Sequence, residues 1–212
     1  PRNAEDMEEA RRLLREAGSE ASLVAKIERT EAIENLEEII AASDAVLIAR
    51  GDLGVEIGDA ELPGLQKLIT TKSLEQNRVV ITATQMMQSM VDSPIPTRAE
   101  VLDVANSVFD GTDAVMLSAE TAVGQHPHTV VEAMDRICLG AERHTDERPN
   151  CDNLNVQFQR IDQANDRFGA ADIEGHGGGG NHGDFAVVRL QTCGYQRILD
   201  RCKVLPCGND ID

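Results

Sequence analysis

The sequence predicts an α/β fold built on a parallel sheet. Four short apolar runs recur at intervals of roughly 25–35 residues, the size of a strand–helix unit. They are Ser22-Leu23-Val24-Ala25, Ala45-Val46-Leu47-Ile48-Ala49, Val79-Val80-Ile81-Thr82-Ala83 and Ala114-Val115-Met116-Leu117. Each is followed by polar residues and then by a segment of helical character. Runs without polar alternation suit strands covered on both faces, as in a parallel sheet with helical crossovers. This alternation leaves either a barrel or a doubly wound sheet. The glycine fingerprint of a dinucleotide fold follows none of the runs.

The helices carry their own signals. Asn3 is placed to cap a helix that begins at Ala4-Glu5-Asp6 and ends at Gly18. Thr30 through Ala42 reads as a second, with Ile33, Leu36, Ile39 and Ile40 at helical spacing. Pro94 and Pro96 keep the chain extended before Thr97-Arg98-Ala99-Glu100, which fits a capping box. A last helix is expected from about His128 to Glu142. Met86, Met87 and Met90 read as core packing.

Composition changes along the chain. The 212 residues include 37 acidic and 20 basic side chains, a formal charge of −17, which argues against a nucleic-acid backbone or an anionic membrane surface as the main partner. No apolar run approaches the length of a membrane span, and no charged-then-apolar leader opens the chain. The expectation is therefore a soluble, cytoplasmic protein. All six Met precede His144, whereas four of the five Cys and nine of the 17 Gly follow it. The tract Gly175-His176-Gly177-Gly178-Gly179-Gly180-Asn181-His182-Gly183 cannot bury enough apolar area to offset its chain entropy. His176 and His182 lie near Cys193, Cys202 and Cys207, but no zinc-ligand spacing is met. Reduced thiols are the default.

Chemistry-bearing residues gather after the strands. Lys26 and Glu28 follow the first, Arg50-Gly51-Asp52 the second, Thr84-Gln85 the third, and Ser118, Glu120 and Thr121 the fourth. In parallel α/β folds these carboxyl tips share the face that holds the active site. Lys26 and Glu28 are two apart and point to one side of a strand. Glu28 with Asp52 supplies two hard carboxylates, a preference for Mg²⁺ or Mn²⁺. Lys26 beside such an ion can help neutralise a phosphoryl group or an enolate. A surface Lys–Glu ion pair is the competing explanation. The functional one is favoured because charges in a buried strand are rare. Gly51 and Gly54 permit close approach of backbone N–H groups to an anion. Thr84 can donate or position a proton, while Ser118 and Glu120 fit structural and functional roles alike.

These residues resemble the pyruvate kinase family. The resemblance rests on five blocks in the family's order: Ala21 to Ile33, Ala49 to Ile57, Ile81 to Met86, Pro96 to Glu100 and Met116 to Thr121. Ser118-Ala119-Glu120 and Glu56-Ile57-Gly58-Asp59 resemble its bacterial branch more than the animal one. The resemblance implies transfer of phosphate from phosphoenolpyruvate to ADP in glycolysis, giving pyruvate and ATP. It implies that Lys26 stabilises the transferring phosphoryl group and the enolate, and that Glu28 and Asp52 bind the divalent metal. Gly51 and Asp52 would offer amides to the substrate carboxylate, and Thr84 would help deliver the proton. Arg98 is implied to contact a subunit or order a loop. The family also uses K⁺ and assembles as a homo-tetramer.

The resemblance implies a partial TIM (β/α)8 barrel, with residues 1–144 as the last four strand–helix units. A whole barrel takes roughly 250 residues. The K⁺ site, a substrate arginine and much of the nucleotide site would lie in the missing first half. Residues 145–164 read as a linker and the start of a C-terminal domain. After Ala164 the likeness stops, so 165–212 is expected to be an atypical tail, disordered or frame-shifted. A half barrel is expected to leave its first and last strands with unpaired edges, favouring self-association. The fragment alone is expected to be inactive. The alternatives are a non-catalytic remnant and another Mg-dependent enolate or phosphoenolpyruvate enzyme.

Overall fold

Four parallel strands stand side by side in chain order: β1 (Val24–Ile27), β2 (Ala45–Ala49), β3 (Val79–Ala83) and β4 (Ala114–Leu117). The computed structural model describes residues 1–145 and the strand β5 (Ala186–Arg189). Sequential order without a reversal means that every crossover runs the same way. Right-handed crossovers then put every helix on one face of the sheet. A doubly wound sheet needs a reversal, and the observed order has none.

Burial agrees with that topology. Ala25, Ile27, Val46, Ile48, Val80, Thr82, Val115 and Leu117 share the buried, helix-covered face. The alternating positions are less covered: Val24 and Lys26 are exposed, and Leu47, Ile81 and Met116 are half-buried. The sequence expectation of strands buried on both faces fails at β1, where exposed and buried residues alternate, and is met in part at β2, β3 and β4, where Ala45, Ala49, Ala83 and Ala114 on the second face are buried as well.

The helices close as their local chemistry dictates. In α1 (Ala4–Glu16) the Asn3 side chain accepts the Asp6 amide at 3.2 Å, and Gly18 follows the end at φ +73°. The expected helix from Thr30 to Ala42 is two, α2 (Thr30–Glu34) and α3 (Leu36–Ala42), broken at Asn35. Two helices, α4 (Arg50–Ile57) and α5 (Leu62–Glu75), cross from β2 to β3. A 3₁₀ turn (Gln88–Val91) and α6 (Arg98–Asp110) lead to β4. The Thr97–Glu100 capping box opens α6, and left-handed Gly111 ends it. After β4 come α7 (Ala119–Ala122) and α8 (Pro127–Thr145), the latter longer at both ends than expected. Met86, Met87 and Met90 are fully buried with Val104, Leu117 and Met134, as core residues should be.

Two aspartates pin the sheet's register. Asp44 and Leu23 exchange backbone and side-chain bonds, with the Asp44 carboxylate accepting the Leu23 amide at 2.7 Å. Asp113 does the same with Val80, at 2.8 Å. Arg11 ties α1 to the first corner through Asp44 at 3.1 Å and the Ala42 carbonyl at 3.0 Å.

The last strand lacks the free edge expected of it, because β5 pairs antiparallel with β4. The linker at 145–164, the Gly-rich tract, His176, His182 and the cysteines after Cys138 lie outside the described residues. No described helix is long and apolar enough to cross a membrane.

Two neighbours in β2 test the one-sided cover. Replacing Ile48 by Ala should cost about 3 kcal/mol, the usual range for a filled core site, and replacing Leu47 by Ala about 1 kcal/mol; urea denaturation reads both. Equal costs would contradict the burial pattern. A second test concerns Glu100. Burial pushes its carboxyl up, but the Ser89 hydroxyl and amide and the Thr97 amide and hydroxyl outweigh this and hold it below the usual carboxylate range. The stability this contributes is present above the ordinary carboxylate value and is lost as pH falls through the depressed one. Glu100→Gln, which keeps a capping oxygen, should flatten the acid limb of the stability–pH curve.

Candidate functional site

The carboxyl ends of β1 and β2 bring three charges together. The Lys26 ammonium donates closely to the Glu28 carboxylate and at 3.3 Å to Asp52 Oδ2. Glu28 follows β1 directly, and Asp52 lies in the first turn of α4. The hydrogen bond that Lys26 donates to Glu28, aided by Asp52 against some burial, raises the Lys26 pKa. Lys26 and Asp52 are 50% and 66% exposed, so the argument from a buried strand does not explain why the charges meet. Sheet register does, because Lys26 is paired with Leu47 and α4 begins directly at the end of β2. Glu56 supports the approach by accepting the Thr30 amide at 2.7 Å and its hydroxyl at 3.1 Å. That amide bond above all holds the Glu56 carboxyl low.

Gly51 and Thr84 form the adjoining part. The Gly51 amide donates to Thr84 Oγ1 at 2.8 Å, joining the two residues expected to touch substrate separately. A Cβ on Gly51 would lie 3.5 Å from that oxygen, an ordinary contact, so this turn does not itself require glycine. Thr84 and Gln85 both have positive φ, +66° and +53°. A β-branched residue in that region is a genuine outlier, costing on the order of 1–3 kcal/mol.

Arg50, given no role from sequence, reaches the Thr84 turn from the core. Its side chain is 7% exposed. Its guanidinium donates to the Thr84 carbonyl at 3.2 and 2.9 Å, to Asp103 Oδ1 at 2.7 Å, to Gln66 Oε1 at 3.4 Å and to Met86 Sδ at 2.8 Å. The available signal was a cation set directly after five apolar strand residues. Glu120, ambiguous in sequence, is a buried clamp. It accepts the Met87 amide at 3.1 Å and the Ser118 amide at 2.8 Å, tying the loops after β3 and β4 together. Gly124 lets α7 turn away, since a Cβ there would stand 2.1 Å from the Glu120 carbonyl. Arg98 is exposed at the start of α6.

Among the described residues no three His, Cys, Asp or Glu side chains gather into a metal cage. Two carboxylates converging on one cation still suit Mg²⁺, which binds through one or two carboxylates plus waters and substrate oxygens. The Lys26 ammonium occupies that meeting point.

Replacing Glu120 by Gln would set an amide NH₂ against a backbone N–H. A loss of about 2 kcal/mol is expected, as for a hydrogen bond to a charged group. Guanidinium denaturation measures it, and an unchanged midpoint would remove Glu120 as a clamp.

Comparison with known proteins matches the family described as "Pyruvate kinase, barrel domain" to residues 1–131. The chain is 57% identical over 167 residues to "Pyruvate kinase II" of Salmonella typhimurium, covering 77% of this chain and 35% of that protein. It is 47% identical over 142 residues to a pyruvate kinase of Thermotoga maritima, covering 67% and 30%. A crystal structure of a pyruvate kinase from Cryptosporidium parvum superposes with a TM-score of 0.67 at 41% identity, covering 68% of this chain and 31% of that one. The chain thus spans about a third of the length of these curated relatives.

Proposed function

The chain belongs to the pyruvate kinase family, and we propose that it supplies the last four strand–helix units of a (β/α)8 barrel that transfers phosphate from phosphoenolpyruvate to ADP. The observation that carries this reading is the convergence of Glu28 and Asp52 on Lys26 at the carboxyl end of the sheet. The in-order parallel strands support a barrel in particular.

In this reading Glu28 and Asp52 hold Mg²⁺ or Mn²⁺. When bound, the ion supplies a Lewis acid beside the phosphoryl and enolate oxygens. Lys26, released from the two carboxylates, turns its ammonium to the transferring phosphoryl group and then to the enolate oxygen. The first-turn amide of Asp52 faces the substrate carboxylate in this reading, while the Gly51 amide, expected to do the same, is engaged by Thr84 Oγ1. The phosphoryl group leaves the enol oxygen for the terminal phosphate oxygen of ADP, and the enolate then takes a proton at its methylene carbon. The Thr84 hydroxyl accepts from Gly51, which leaves its own proton free to serve that step.

The remaining parts of the proposal lie beyond the described residues. K⁺ and much of the nucleotide site belong to the first half of the barrel. Residues 145–164 lead toward a C-terminal domain, and 165–212 depart from the family. The complete protein is a cytoplasmic homo-tetramer in this reading. With about a third of its relatives' length, the chain alone should give no pyruvate in a coupled assay with ADP and phosphoenolpyruvate.

Water-proton relaxation with Mn²⁺ tests the metal pair directly. Glu28→Gln and Asp52→Asn should each weaken binding by about tenfold, the loss of one strong ligand interaction. Lys26→Met should strengthen it, because the competing ammonium is gone. Unchanged binding in both carboxylate variants would refute the assignment.

A further inference from the structure

We infer that Arg50 is a positioning residue for Thr84: its buried guanidinium grips the Thr84 carbonyl and so fixes the left-handed turn that holds the Thr84 hydroxyl on the Gly51 amide. The inference deepens the proposed function, because it rests on the role given there to Thr84.

Three features carry it. The first is strain, since Thr84 and Gln85 hold consecutive positive φ values that neither residue favours. Such a turn persists only where its surroundings over-determine it. The second is the restraint. Two guanidinium nitrogens of Arg50 meet the one Thr84 carbonyl, at 3.2 and 2.9 Å. A planar fork fixes that carbonyl's direction, which a single ammonium cannot do. The third is the anchor. Asp103 on α6 takes the guanidinium at 2.7 Å, Gln66 on α5 at 3.4 Å and Met86 Sδ at 2.8 Å. The guanidinium is therefore held from two helices and from the loop it restrains.

The consequence for chemistry is geometric. With the Thr84 carbonyl drawn to Arg50, its hydroxyl is left to accept the Gly51 amide at 2.8 Å. Gly51 is next to Asp52, whose carboxylate reaches Lys26. Arg50 thus sets the spacing between the proton-handling hydroxyl and the cation site without facing either. Being 7% exposed, it has little access to substrate and acts through Thr84.

Amide hydrogen exchange and NMR couplings on the 212-residue chain test this. In Arg50→Met the Gly51 amide should exchange about tenfold faster than the loss at the Ile48 amide in β2 accounts for, a local opening in place of a global one. The coupling between the Thr84 amide and α protons should leave its left-handed value. Arg50→Lys, which can reach the carbonyl or Asp103 but not hold both, should fall between wild type and Met. Asp103→Ala should move Gly51 the same way with Arg50 intact, and it carries the test alone if Arg50→Met does not fold. Gly51 and Ile48 changing in step, or an unchanged Thr84 coupling, would overturn the inference. No metal or substrate enters the measurement. A failed Mn²⁺ titration would therefore leave this inference standing, and failure here would leave the metal pair standing.

Discussion

A guanidinium in the core must find acceptors or unfold its surroundings. Arg50 finds them in the Thr84 carbonyl, Asp103, Gln66 and Met86. These partners come from α5, α6 and the turn after β3, so satisfying one charge fixes the relative placement of three segments. The turn is then tied on its far side by Glu120, through the Met87 amide. Two buried charges of opposite sign, neither facing solvent, thus define the shape of the carboxyl-end loops. The cost of burying them is met by directed hydrogen bonds.

The exposed charges form a different kind of arrangement. Lys26, Glu28 and Asp52 are joined to each other, and half of the Lys26 side chain faces solvent. Exposed pairs add little stability, so this group can exchange partners cheaply. That suits the proposed metal pair, in which the ammonium would yield its place between two carboxylates to a cation. A buried, fully bonded charge and an exposed, exchangeable one thus stand on neighbouring residues, Arg50 and Asp52 being only two apart.

Much of this was legible in the sequence where the signal was local. Asn3, the Thr97–Glu100 box and the apolar runs of β2, β3 and β4 each report on a few adjacent residues, and each stands where expected. The break at Asn35 was hidden because the apolar spacing runs through it without Pro or Gly. β1 lies two residues later than the apolar run Ser22–Ala25, because its exposed face, with Val24 and Lys26, is a property of the whole sheet. Lys26, Glu28, Gly51, Asp52 and Thr84 could be singled out because each follows a strand. Arg50 could not be given a role, because its ionic partner lies 53 residues away and its burial exists only once α5 and α6 pack.

The sheet itself implies a further surface. Its helices cover one face, and the other carries small or half-buried residues such as Ala45, Leu47, Ile81 and Met116. An apolar face of this kind must be buried against something, and a twisted parallel sheet with all its helices outside buries it most economically by curling on itself. β5 already occupies the outer edge of β4. The edge of β1 beyond Val24–Ile27 has no strand partner among the described residues. The residue that gathers the two carboxylates therefore sits on the strand at the sheet's open edge, and the surroundings of the proposed cation site depend on what pairs with that edge.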